Sequence, residues 1–177
     1  KDPEGTRKAF TDDGFFRTGD LGEMDSDGWL KIIGRAKEQF KTSKGKYVSP
    51  SGIEKLLGAD SRIEACCVTG AGMPKALAIV VLSEEARKSI DDPEAKAACE
   101  ESLHALLVRV NGELEAHEKL SCLVVADDPW TIGNGFLTPT LKLKRPMLEH
   151  AYSKYFDEWY QQEKPIVWHT AEPVATR

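Results

Sequence analysis

Long apolar runs and paired metal-binding motifs are absent from this sequence. No run approaches the roughly 20 apolar residues that a membrane span requires, and no signal peptide opens the chain. The four cysteines form no C-x-x-C pair and no His/Cys spacing typical of a zinc site. Cys66 and Cys67 lie next to each other in an apolar run, which favours reduced core thiols in a cytosolic protein over a vicinal redox disulfide.

Common catalytic and nucleotide-binding motifs are also missing. The sequence has no G-x-S-x-G nucleophile elbow, and its four histidines show no H-x-x-x-H or H-E-x-x-H spacing. Gly45-Lys46 does not belong to a Walker A loop, because no glycine stands at the required distance before it. We therefore expect no metal site, and surface or hydrogen-bonded roles for the histidines.

A strong basic charge is lacking as well. The net charge is -5 and the pI is about 5.5, which argues against nucleic acid as a partner. Basic residues are instead concentrated between residues 31 and 46 and again at 142–145, which suits a small anionic ligand. The length of 177 residues suffices for one well-buried domain, or for one domain and part of a second. Because the chain opens with a loop-like K-D-P-E-G, we expect it to be part of a longer protein.

The pattern of apolar residues predicts hairpins followed by a compact core. Residues 14–34 form one hairpin around the turn Ser26-Asp27-Gly28, and residues 38–48 form a second around Ser43-Lys44-Gly45. The core combines helices that begin at Pro50, Pro93 and Pro146 with strands over 63–69, 76–83 and 120–126. The fold class is α+β: a small three-stranded sheet flanked by helices and preceded by β-hairpins.

The stretch Leu137 to Arg145, L-T-P-T-L-K-L-K-R, is the strongest candidate for a functional loop. It places basic residues on an apolar segment broken by a proline, just before the last predicted helix. Lys142 on such a loop can carry its ammonium into the cleft of another domain and neutralise a phosphate or a developing negative charge. Thr18-Gly19-Asp20 forms a corner from which a carboxylate can project, although an Asp after Gly is more often a turn residue.

Four motifs together resemble the adenylate-forming (AMP-binding) superfamily of acyl-CoA synthetases, luciferases and peptide-synthetase adenylation domains. They match in type, order and spacing: G-F-F-R-T-G-D-L-G (14–22), D-G-W-L-K-I-I-G-R-A-K (27–37), K-G-K-Y-V-S-P-S-G-I-E (44–54) and L-T-P-T-L-K-L-K-R (137–145). The resemblance covers most of the chain but only the C-terminal third of such an enzyme. The Ser/Thr/Gly-rich phosphate loop and the Y-G-x-T-E adenine motif of the family are absent, and we expect them upstream of Lys1.

The resemblance implies a reaction in two halves, which uses ATP, Mg²⁺ and coenzyme A bound largely by the large domain. A carboxylate attacks the α-phosphate of ATP to give an acyl-adenylate, and the thiol of coenzyme A then displaces AMP. By motif, Asp20 would bind the ribose hydroxyls and Arg35 would support the same ribose. Lys37 would be the hinge about which the small domain swings, and Lys142 the lysine that bridges the acid and the α-phosphate.

The second basic segment would take part in the thioester step. The turn Lys44-Gly45-Lys46-Tyr47 resembles the loop that lines the pantetheine tunnel, where Gly45 permits close approach. Lys46 and Tyr47 belong to the same loop. Lys144 and Arg145 are secondary candidates, as surface charges or as contacts to the phosphates of coenzyme A.

Two departures from the family pattern point to one branch of it. Leu141 stands where the common form has glycine, and Lys37 stands where most members have Asp. Both features are similar to the long-chain and very-long-chain fatty acyl-CoA synthetases. The resemblance therefore implies a ligase that acts on a long-chain fatty acid.

The expected domain organisation follows from the hinge. Residues 1–36 would end the large adenylation domain, residues 37–162 would form the mobile C-terminal domain, and residues 163–177 a weakly patterned tail. As an isolated fragment the chain would be inactive. Two alternatives remain open: an acyl-AMP ligase that passes its acyl group to a carrier protein, and a non-catalytic binding domain of the same fold. The expected location is cytoplasmic, with room for peripheral membrane contact through the missing domain.

Overall fold

The main sheet has four strands, in a computed structural model that describes residues 2–170. They are β5 (Ile63–Thr69), β6 (Ala76–Leu82), β7 (Leu120–Val125) and β8 (Ile166–Trp168), in the order β5-β6-β7-β8. β5 pairs antiparallel with β6, whereas β6 pairs parallel with β7 and β7 parallel with β8. The mixed α+β class is confirmed, but the predicted count of three strands was too low.

The additional strand lies within residues 163–177, which were expected to form a tail. β8 contains only Ile166, Val167 and Trp168, and a run this short shows neither a strand nor a helix period. Ile166 and Val167 are nevertheless buried, since β7 supplies an edge on which they pair. This segment is a strand because it pairs with β7, and not because of a signal in its own sequence.

Central strand β6 carries the core because all seven of its residues are buried. Its alternate side chains point to opposite faces of the sheet, so that Ala78 and Val80 join one cluster and Ile79 and Val81 the other. One face is covered by α2 (Pro50–Leu57) and α4 (Pro93–Glu113), and the other by α5 (Arg145–Tyr152) and α6 (Phe156–Gln161). A shorter helix, α3 (Glu84–Ser89), follows β6 directly.

Helices α2 and α4 begin at the predicted prolines. Pro93 opens α4, and the carboxylate of Asp92 accepts a hydrogen bond from the backbone N–H of Ala95 at 2.8 Å. Ser49 occupies the N-cap position of α2, but its side chain makes no capping hydrogen bond. Proline at the first helical position suits a start of this kind, because the first N–H groups have no partner within the helix.

Both predicted hairpins are present. β1 (Asp20–Met24) pairs with β2 (Leu30–Arg35), and β3 (Phe40–Lys41) pairs with β4 (Tyr47–Val48). A 3₁₀ turn over Ala36–Glu38 connects the two hairpins.

The opening segment, expected to be a loop, contains the helix α1 (Pro3–Ala9). Asp2 caps this helix by accepting a hydrogen bond from the N–H of Gly5 at 2.8 Å. No helix in residues 2–170 is both long enough and apolar enough to cross a bilayer.

Candidate functional site

Lys142 lies on a tight hairpin that precedes α5. Leu137 and Leu143 form an isolated antiparallel bridge at its base. Above this bridge, Thr138 donates its N–H to the carbonyl of Lys142 at 2.8 Å, and the N–H of Lys142 donates to Thr138 Oγ1 at 3.0 Å. The backbone of Lys142 is therefore held on both sides, while the residue itself is exposed to solvent. We call residues 137–143 the lysine hairpin.

Leu141 at the tip of the lysine hairpin adopts a left-handed backbone conformation, with φ of 60°. L-residues other than Asn and Asp rarely adopt this region, because Cβ approaches the following carbonyl oxygen. The conformation is the one that glycine adopts without cost. It allows the N–H of Leu141 to reach the carbonyl of Thr138 at 2.9 Å and so closes the turn in front of Lys142.

Hydrogen bonds from the preceding loop support the base of the lysine hairpin. The side-chain oxygen of Asn134 accepts from the N–H of Thr131 at 2.8 Å, and its amide donates to the carbonyl of Pro129 at 2.9 Å. Lys144 then donates its N–H to the carbonyl of Phe136 at 2.8 Å. Because Phe136 stacks on Tyr152 of α5 at 5.9 Å, the segment around Gly133 and Gly135 is tied to the body of the domain.

Arg145 is largely shielded from solvent, which corrects its expected place as a surface charge, whereas its contact with coenzyme A stays a prediction. Its side chain is 13% exposed and crosses from the start of α5 to two other elements. Nη2 donates to Glu54 Oε1 at 2.6 Å, and Nη1 donates to the carbonyl of Val68 at 2.7 Å and to Cys67 Sγ at 3.1 Å. Burial by itself would lower the pKa of Arg145, but its contacts with Cys67 and Glu54 outweigh that effect and the pKa lies above its ordinary value.

Asp20 and Arg35 face each other at the outer end of the first hairpin, where they form a cross-strand pair. Asp20 Oδ1 and Arg35 Nη1 are 2.8 Å apart, and the same Nη1 donates to the carbonyl of Thr18 at 3.1 Å. A carboxylate oriented by an arginine and open to solvent can accept hydrogen bonds from two adjacent hydroxyls. The structure thus brings together the two residues assigned by motif to one ribose.

Lys37 lies in the 3₁₀ turn and borders two cavities. One, of about 690 Å³, is also lined by Thr18, Gly19 and Arg35. The other, of about 550 Å³, extends to Leu143, Lys144 and Arg145 at the base of the lysine hairpin. Lys142 is not among the lining residues of either cavity. The structure therefore places the turn of Lys37 between the Asp20–Arg35 pair and the start of α5, but it does not bring Lys142 to that pair.

The turn between β3 and β4 is open to solvent. Gly45 has a φ of 79°, which only glycine adopts readily, and it donates its N–H to the carbonyl of Thr42 at 2.9 Å. Lys46 and Tyr47 follow, and the Tyr47 residue is 60% exposed. Lys41 from the facing strand places its ammonium 5.6 Å from the centre of the Tyr47 ring. This exposed aromatic surface is separate from the two cavities that Lys37 borders.

The cysteines are free thiols inside the core. Cys66 and Cys67 point to opposite faces of β5 and join different clusters, as the alternation of a strand requires. Burial raises the pKa of each to about 12, so that both are neutral thiols at physiological pH. Their place in the core is as expected, and their reduced state stays a prediction. Within residues 2–170 no group of three or more His, Cys, Asp and Glu side chains could hold a metal ion.

Glu54 was not recognised from the sequence as a partner of Arg145. It ends the third motif, but no role followed from its position, and Arg145 lies far from it along the chain. Thr138 was likewise missed, although it makes the hydrogen bonds that hold Lys142. A threonine before a proline gives no signal of such a contact, and a long-range ion pair cannot be read from one sequence.

Comparison with known proteins places this architecture in a family. A model of the AMP-binding enzyme C-terminal domain matches residues 37–164. Long-chain-fatty-acid–CoA ligase 6 of Homo sapiens is 31% identical over 173 residues, which cover 90% of this chain and 25% of the ligase. The chain thus spans about a quarter of the length of the curated relatives it matches.

Solved structures show the same fold. The adenylation domain of the carboxylic acid reductase from Segniliparus rugosus, bound to AMP and a co-purified carboxylic acid, has a TM-score of 0.72 and 29% identity, with 92% of this chain and 26% of that chain covered. ATP-bound MatB from Rhodopseudomonas palustris has a TM-score of 0.58 and 27% identity, with 87% and 27% covered. The chain therefore belongs to the AMP-binding, adenylate-forming enzymes, and its residues 37–164 are their C-terminal domain.

Proposed function

We propose that this chain is the C-terminal part of an ATP-dependent long-chain fatty acid–CoA ligase. The observation that carries the proposal is the lysine hairpin, which holds the backbone of Lys142 in place while the residue stays exposed in a family that makes acyl-adenylates. Relatives named as long-chain-fatty-acid–CoA ligases support the choice of acid and of coenzyme A as acceptor. Residues 1–36 would end the large domain, and residues 37–162 would move about the turn that contains Lys37.

In the first half-reaction, a carboxylate oxygen of the fatty acid attacks the α-phosphorus of ATP. The bond from that phosphorus to the bridging oxygen breaks, and pyrophosphate leaves with the electron pair. Negative charge builds on the non-bridging oxygens, and an ammonium placed beside them stabilises the transition state more than the ground state. We assign this role to Lys142, and the binding of the ribose hydroxyls to the Asp20–Arg35 pair.

In the second half-reaction, the thiol sulfur of coenzyme A attacks the acyl carbonyl, gives up its proton and displaces AMP. The surface formed by Gly45, Lys46 and Tyr47 would guide the pantetheine arm, because it is exposed and the glycine leaves the backbone open. Mg²⁺ would be held with the triphosphate by the large domain, because Mg²⁺ binds chiefly through the phosphates of its substrate.

Substitution of Lys142 by Ala in the complete enzyme tests this assignment. We expect fatty acid-dependent release of pyrophosphate to fall by about 10²- to 10³-fold, the loss typical for one donor that stabilises a developing charge. Formation of acyl-CoA from preformed acyl-adenylate should be retained, because that step does not need this lysine. Lys88→Ala is the matched control, since Lys88 is an exposed lysine paired with Glu84 on α3. An equal loss of both half-reactions in the Lys142 variant would contradict the role.

A second candidate function is transfer of the acyl group to a carrier protein. It is favoured by the fold similarity to adenylation domains of carboxylic acid reductases, one of which was solved together with its carrier domain. Supplying the complete enzyme with coenzyme A or with a phosphopantetheinylated carrier protein, and measuring the two thioesters, separates the candidates. A protein that forms neither thioester and no adenylate would instead be a binding domain of the same fold.

A further inference from the structure

Lys142 owes its position to contacts that lie outside the lysine hairpin. The hairpin is short, and its internal hydrogen bonds join Thr138 to Leu141 and Lys142 without fixing the hairpin to the sheet. Phe136 precedes the hairpin and stacks on Tyr152, and the hairpin leads through Lys144 to Arg145, the first residue of α5. The contacts of Arg145 therefore hold the C-terminal side of the hairpin that carries Lys142, while those of Phe136 hold its N-terminal side.

Arg145 is held by two separate elements at once. Nη2 contacts Glu54 on α2 at 2.6 Å, and Nη1 contacts the carbonyl of Val68 on β5 at 2.7 Å. Glu54 is fixed in turn, because its Oε1 also accepts from the N–H of Val68 at 2.8 Å. The guanidinium thus closes a ring of contacts between α2, β5 and the start of α5.

The form of this contact favours a positioning role over a purely stabilising one. The side chains of Arg145 and Glu54 are 13% and 17% exposed, and Arg145 Nε is buried without a hydrogen-bond partner. A buried ion pair with an unpartnered donor gives little stability compared with well-packed apolar residues. The planar guanidinium does, however, direct its N–H groups along fixed directions, which an ammonium cannot do.

We propose that Arg145 is the positioning residue of the adenylation lysine, held by Glu54 and Val68 so that the lysine hairpin presents Lys142 at a fixed place. The inference rests on the function proposed above for Lys142. In this role Arg145 acts on the reaction through the position of Lys142. A displacement of about 1 Å at a reacting group can cost 10²-fold in rate, so loss of this anchor should reduce adenylation without reducing the binding of ATP.

The test uses two variants of the complete enzyme and one matched control. Arg145→Lys keeps the positive charge. A single ammonium, however, cannot replace both the contact of Nη2 with Glu54 and that of Nη1 with the carbonyl of Val68. The double variant Arg145→Met with Glu54→Met removes both charges, so that no unpaired carboxylate remains buried. Arg62→Lys is the control, because Arg62 also pairs with a carboxylate, that of Asp60 at 2.6 Å, but on a different part of the domain.

Two readouts distinguish a positioning role from a structural one. We expect the kcat of fatty acid-dependent pyrophosphate release to fall at least about tenfold in both Arg145 variants, with the KM for ATP and the conversion of preformed acyl-adenylate changed by less than about threefold. Amide hydrogen exchange of residues 137–144 should accelerate in the same variants, while that of β6 stays unchanged. The control variant should show neither effect.

The outcomes separate a failure of the positioning role of Arg145 from a failure of the proposed function. A parallel loss of both half-reactions, or unchanged exchange in the lysine hairpin, would overturn the positioning role of Arg145. If the wild-type enzyme forms no acyl-adenylate from any fatty acid, the proposed function fails. The exchange measurement still tests whether Arg145 holds the hairpin in that case.

Discussion

Leu141 offers a direct test of how the lysine hairpin is built. Its φ of 60° lies in the left-handed region, which costs a non-glycine residue about 1–2 kcal/mol. Replacing it by Gly removes that cost, but the greater freedom of Gly in the unfolded chain offsets about 0.5–1 kcal/mol. The Leu141 residue is 69% exposed, so little apolar burial is lost with its side chain.

Leu141→Gly should therefore stabilise the folded domain by about 0.5–1 kcal/mol. For a chain of this length, that gain corresponds to a rise of about 1–4 °C in the midpoint of thermal unfolding. The measurement is thermal unfolding of the 177-residue chain followed by circular dichroism, together with urea unfolding for the free energy. In the complete enzyme the same variant should retain acyl-adenylate formation, because the turn keeps its shape.

Leu141→Ala separates backbone strain from the loss of the side chain. Alanine removes the exposed methyl groups but keeps Cβ, and so it keeps the left-handed strain. We expect its stability to stay within about 0.5 kcal/mol of the wild type. A glycine variant no more stable than the alanine variant would show that Leu141 is not strained in solution.

Two further predictions concern pH. Burial raises the pKa of Cys66 and Cys67 to about 12 from 9.0 in the unfolded chain, so iodoacetamide should alkylate them slowly in the folded protein and rapidly after denaturation, as mass spectrometry would show. Their contribution to stability is complete below pH 9.0 and is lost as the pH rises towards 12, and rapid labelling of the folded protein would contradict their burial. Burial against the rings of Tyr152, Tyr155 and Trp159 lowers the pKa of His169 from 6.5, although Asp127 and Glu158 oppose this effect and Lys154 adds to it. The neutral imidazole therefore stabilises the fold above pH 6.5. Between pH 7 and pH 5 the midpoint of thermal unfolding should fall more for the wild type than for His169→Gln. Equal falls in the two proteins would refute the assignment.

The order and type of most elements could be predicted from local patterns. Prolines at first helical positions marked the starts of α2 and α4. The apolar runs that became β5, β6 and β7 were recognised because continuous β-branched sequences of strand length are typical of buried strands. These signals depend on interactions between residues that are close along the chain.

Only part of the candidate site could be predicted, because local patterns do not show contacts between distant residues. Asp20, Arg35 and Lys142 were identified by motif, and the structure pairs the first two across a hairpin that joins nearby segments. The contact of Arg145 with Glu54 could not be predicted, since it joins residues separated by 91 positions. The ring of contacts exists only after α2, β5 and α5 have packed together.

The sequence by itself determined the α+β class, the two hairpins, the family resemblance and the lysine on which the proposed chemistry depends. Each of these is encoded in spacing and residue type over short stretches, where helix and strand periods and turn residues act locally. Only the tertiary structure decided that Ile166–Trp168 is a strand and that Arg145 contacts Glu54 and the carbonyl of Val68. An edge for β8 and a set of acceptors for a guanidinium are supplied by distant segments, and these come together only when the core is formed.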